Sequence, residues 1–102
     1  MSLEKLEEYL KVVERLELHL HRANKIFKKD GFFQPGASYG GAIYNFKKLN
    51  GNKYLKDVVD YQTQVILVLL SKAESDPSML EDVLSAVIVL AFIINKEIVS
   101  NS

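Results

Sequence analysis

Leu3, Leu6, Leu10, Val13, Leu16, Leu20, Ala23 and Phe27 recur at steps of three and four, the period that gathers side chains on one face of an α-helix. Ser2 is placed to cap this first helix, and Glu4 lies near the positive end of its dipole. Lys25, Lys28 and Lys29 occupy the last turn, where cations are favoured, and Gly31 can close the helix in a left-handed conformation. Leu16 to His21 alternates like a strand, but the longer helical period around it outweighs so short a run. The stretch Phe32-Phe33-Gln34-Pro35-Gly36 breaks the pattern, and Tyr39, Ala42, Phe46 and Leu49 then predict a short second helix stopped by Asn50-Gly51. Gly40 and Gly41 inside it cost on the order of 1 kcal/mol each relative to alanine, so close approach of another backbone or a ligand is expected there.

A third helix is predicted from a cap near Asn52 through Tyr54, Val58, Tyr61, Val65, Leu69 and Ala73, with an apolar run over 65–70. Asp76-Pro77 supplies a capping carboxylate and a proline at the next helix start, ahead of Leu80, Val83, Leu84, Val87, Leu90, Ala91 and Ile94. Helices apolar on most sides must be central in a bundle or lie against another subunit. The stretch Val83 to Ile94, flanked by Glu81-Asp82 and Asn95-Lys96, is shorter than the ~20 residues of a membrane span and reads as a buried core helix.

The chain also repeats itself. Tyr9-Leu10-Lys11-Val12-Val13-Glu14 returns, with one inserted residue, as Tyr54-Leu55-Lys56-Asp57-Val58-Val59-Asp60. Each copy opens a long helix followed by a break containing proline and a further helix. The expected fold is therefore all-α: one domain over 1–102, made of two similar helical hairpins at 1–50 and 53–100.

Composition adds three constraints. At 102 residues, 48% hydrophobic and 25% charged, the chain can form one packed core. It has no cysteine, which removes disulfide and thiolate chemistry, and its charged beginning is unlike a signal peptide; a cytoplasmic protein is expected, with no membrane partner. The net charge of zero hides an asymmetry: eight basic residues and one acid between Arg22 and Lys56, then seven acids and two lysines from Asp57 onward.

No motif carries catalysis. Gly36-Ala37-Ser38-Tyr39-Gly40 matches the nucleophile-elbow pattern but lacks a preceding strand and any downstream histidine. His19 and His21 point about 200° apart on a helix and cannot chelate one metal, while Glu17 and His21 have at best the spacing of a weak surface site. The acids of the first helix read as a solvated face, and no phosphate loop or zinc signature is present. The expectation is a protein that is not an enzyme, with no cofactor and no metal.

Two binding surfaces remain. Two hairpins of unequal length leave a groove beside the shorter one, where Phe32, Phe33, Tyr39, Gly40, Gly41 and Tyr44 can form an aromatic rim and glycine floor for a peptide or partner helix. The competing arrangement is that the fourth helix fills that space. The second surface is the basic, aromatic-rich segment 22–56, where Lys25, Lys28, Lys29, Lys47, Lys48 and Lys53 could meet nucleic-acid phosphates. The greasy third and fourth helices predict a homodimer contact.

The 102-residue length, the lysine-rich, cysteine-free composition and the doubled Tyr-Leu-Lys…Val-Val hairpin resemble small helical proteins of the filamentous viruses of hyperthermophilic archaea, such as Acidianus filamentous virus 1. The resemblance covers the whole chain through its internal duplication. It implies a two-motif helical fold, a role in the host cytoplasm and no assigned catalytic residues.

Overall fold

The computed structural model describes residues 3–49 and 57–101. Within them the fold is all-α: α1 (Leu3–Asp30), α2 (Ala37–Lys47), α3 (Asp57–Ser75) and α4 (Leu80–Ser100), the last led in by a 3-10 turn, Pro77–Met79. The expected caps at Ser2 and Asn52, the stop at Asn50-Gly51 and the second copy's Tyr54 lie outside the described residues. Local chemistry sets the boundaries that are described. Gly31 takes φ +80 and its N–H donates to the Phe27 carbonyl at 2.8 Å, so glycine ends α1 where a side chain would be strained. The Asp76 carboxylate accepts from the Ser78 N–H at 3.2 Å and the Ser78 hydroxyl at 2.6 Å, with Pro77 filling a position that needs no donor.

Packing makes α4 the central element. It runs along both α1 and α3, while α2 packs against α1. Lys28 Nζ meets Glu81 Oε1 at 2.9 Å, joining the end of α1 to the start of α4, so the two are antiparallel. Near the beginnings of α1 and α3, the Tyr9 and Thr63 hydroxyls meet at 2.7 Å, so those helices run parallel. The space between the hairpins is thus occupied by α4, whose Leu80, Val83, Val87, Leu90 and Ile94 are fully buried with Val13, Leu16, Leu20 and Ile66.

The buried face of α1 follows the expected period, with Tyr9 taking the place assigned to Leu10, which is half-buried. In α3 the face is turned by one residue. Val59, Thr63, Ile66, Leu70 and Ala73 are buried, whereas Val58 and Tyr61, expected in the core, are 49% and 71% exposed. An apolar run over 65–70 defines no face by itself. The polar anchors choose it: Thr63 turns toward Tyr9, and Gln62 Nε2 donates to the Ala86 carbonyl of α4 at 2.9 Å.

The reading of Val83–Ile94 as a short buried core helix needs correction. The helix spans 21 residues, and together with its lead-in turn Pro77–Ser100 is long and apolar enough, by length and composition, to cross a membrane. Only 28% of that apolar window is buried, so α4 is central on one face and greasy on the other.

Candidate functional site

Beside α2, the outward side of α1 carries Lys11, Arg15, His19 and Arg22 at steps of four, four and three. This stripe is one wall of a furrow. One hollow is lined by Lys11, Val12, Glu14, Arg15, Ala42 and Asn45. The next shares Arg15, Ala42 and Asn45 and adds Leu18, His19, Arg22, Ser38 and Gly41. A third shares His19, Arg22 and Ser38 and continues to Ile26, Pro35 and Gly36. The hollows therefore run into one another along α1 from Lys11 to Ile26, a rise of roughly 22 Å at 1.5 Å per residue.

The α2 wall is low because its residues are small: Ser38, Gly41, Ala42 and Asn45 face the furrow. A Cβ at Gly41 would meet nothing within 4 Å, and the same holds for Gly40. The expected close approach of a backbone at these glycines is therefore not found. At Gly41 the missing side chain leaves the furrow open.

Among the described residues, Lys11, Arg15 and Arg22 have no carboxylate within ion-pair distance; the ion pairs are Lys5 with Glu8 at 3.9 Å and Lys28 with Glu81 at 2.9 Å. Glu14 is the acid in the lining, between Lys11 and Arg15 in sequence. The wall is apolar as well as basic, since Leu18 and Ile26 are 47% and 36% exposed and Val12 is half-buried.

The aromatic residues expected to rim a groove take separate places. Tyr39 is buried and lines one end of the furrow, and Phe33 stacks edge-on against it, centroids 5.4 Å apart at 78°. The Tyr39 hydroxyl is buried and, among the described residues, has no hydrogen-bond partner. Burial first, and the negative charge of Glu74 second, push it up to about 12. Phe32 is exposed in the linker, and Tyr44 is exposed on α2 with Lys48 Nζ 4.5 Å from its ring centroid. Phe32, Phe33, Gly40 and Tyr44 therefore stand off the furrow lining, while Tyr39 and Gly41 belong to it.

Nor do the expected nucleic-acid lysines gather. Lys25, Lys28 and Lys29 lie at the end of α1, and Lys28 is engaged by Glu81. Lys47 and Lys48 lie at the far end of α2, about 16 Å away along that helix. Lys53 lies outside the described residues. Helix polarity explains both clusters: each stands at the carboxyl end of its own helix, and the helices are antiparallel.

Among the described residues no three His, Cys, Asp or Glu side chains are grouped to hold a metal ion. His21 is exposed, and His19 is half-buried in the furrow. The stripe Lys11–Arg15–His19–Arg22 was legible as spacing but is masked in the sequence by Glu7, Glu8, Glu14 and Glu17 interleaved with it. Compared with protein-family models, curated proteins and solved structures, the chain matches none.

Proposed function

We propose that the protein is a non-enzymatic interaction module that docks an acidic, amphipathic partner helix in the α1–α2 furrow. The observation that carries this reading is a wall of Lys11, Arg15 and Arg22, unpaired with carboxylates among the described residues, alternating with Val12, Leu18 and Ile26. Such a wall suits a ligand with both acids and apolar anchors, the helix-in-groove mode of recognition. The opposite wall of Ser38, Gly41 and Asn45 leaves room for a backbone. A nucleic-acid strand fits this furrow less well. Its α2 wall carries no cation, and its aromatic residue, Tyr39, is buried rather than presented for stacking. The expected cytoplasmic setting belongs to the same proposal.

The test is fluorescence anisotropy with a labelled amphipathic peptide of about 16 residues, its glutamates spaced to match Lys11, Arg15 and Arg22, beside single-stranded DNA and RNA of equal charge. Saturable peptide binding that falls roughly 10- to 100-fold in Arg15→Glu/Arg22→Glu and is blocked in Gly41→Trp supports the proposal. Tighter binding of the nucleic acids than of the peptide overturns it.

A further inference from the structure

On the other side of the molecule, Val58, Tyr61 and Val68 of α3 and Ile88, Val89, Phe92 and Val99 of α4 are 47–73% exposed. These side chains leave on the order of 700 Å² of apolar surface on two adjoining helices, near the ~800 Å² that each partner contributes to a standard stable interface.

The order of charges on α4 says what covers this face. Its outward side begins with Glu81 and Asp82, continues through Ser85, Ile88, Val89 and Phe92, and ends with Lys96 and Val99. Acid, apolar, base in that order is self-complementary when two copies run antiparallel. Aligning Ile88 with the Val89 of a second copy brings Phe92 opposite a serine, Ser85, and Lys96 opposite the turn of Glu81, which already holds Lys28, and Asp82, and does so twice. Large then meets small, and unlike charges meet at both ends. Asp82 makes no ion pair among the described residues, and Lys96 is free to turn from its position 5.2 Å over the Phe92 ring. A twofold contact needs this match because the patch must be complementary to itself: each residue meets a different one of the second copy, and the same pair recurs across the axis.

We infer that the exposed face of α4, flanked by α3, is an antiparallel twofold interface with a second copy of this chain. The α1–α2 furrow lies on another face, so the dimer presents two furrows. This inference stands independently of the partner proposed for them.

Sedimentation equilibrium of the full chain, with circular dichroism to verify folding, tests it. A dimer that dissociates about 100-fold more readily in Phe92→Glu, a half-exposed position whose change leaves the helix signal intact, is the expected result. Lys96→Glu should spare the apolar contact but weaken the dimer by placing like charges together, and Lys96→Glu/Asp82→Lys, which leaves Glu81 in place, should recover part of the loss. That rescue distinguishes self-pairing from any other occupant of the face. Flotation with vesicles of neutral and anionic phospholipid covers the remaining occupant. A monomer at every concentration, a dimer indifferent to Phe92, no rescue by the charge swap, or vesicle binding in place of self-association would each overturn the inference.

Discussion

Replacing Thr63 by valine tests how α1 and α3 are held in register. The Thr63 hydroxyl is fully buried and donates to the Val59 carbonyl at 2.8 Å, one turn back in its own helix. Having one proton to give, it must accept from Tyr9, a residue 3% exposed whose hydroxyl lies 2.7 Å away. Burial raises the Tyr9 hydroxyl above its ordinary pKa, and the charge of Asp60 adds to that. Valine keeps the volume but orphans the Tyr9 hydroxyl in the core, which costs about 1–3 kcal/mol. Tyr9→Phe removes the donor instead and leaves Thr63 bonded to Val59, so it costs less, about 0.5–1.5 kcal/mol. The double variant has no orphan, and its loss should fall short of the sum of the singles by about 1 kcal/mol. Urea unfolding at neutral pH measures all four proteins, with about 4–8 °C of melting temperature per kcal/mol as an independent check. Strict additivity would refute the reasoning, because it would mean that the two hydroxyls do not act as a pair.

Two further outcomes are expected. Tyr39→Phe should leave stability at neutral pH unchanged or raise it by up to about 1 kcal/mol, since the hydroxyl it removes is buried with no partner among the described residues. Because the Tyr39 hydroxyl ionises near 12 when folded against 10.0 when free, the stability tied to it is complete below pH 10 and is lost as pH rises toward 12. The phenylalanine variant should therefore show a shallower alkaline limb in pH-dependent unfolding, and identical limbs would contradict the assignment. Asp76→Ala should lower stability by about 1 kcal/mol by removing the acceptor of the Ser78 N–H and hydroxyl, read as a drop in melting temperature; Asp76→Asn, which keeps an acceptor, should lose less.

Helix number, the end of α1 at Gly31, the start at Asp76-Pro77 and the core stripes of α1, α2 and α4 were written in the sequence. Each depends on local geometry: a 3.6-residue period, a left-handed glycine, a capping carboxylate. Where the local signal is degenerate, only tertiary contacts could choose. The run over 65–70 is apolar in every direction, and the face that turned inward was selected by Thr63 meeting Tyr9 across 54 residues of chain. The space between the hairpins held two sequence-compatible outcomes, groove or filling. The length and greasiness of α4 settled it, because burying that face against α1 and α3 releases more ordered water than an open groove would. The basic furrow came from the same cause. Once α4 covers one side of α1, the short α2 covers only part of the other, and Lys11, Arg15, His19 and Arg22, scattered among acids in the chain, come to share one wall.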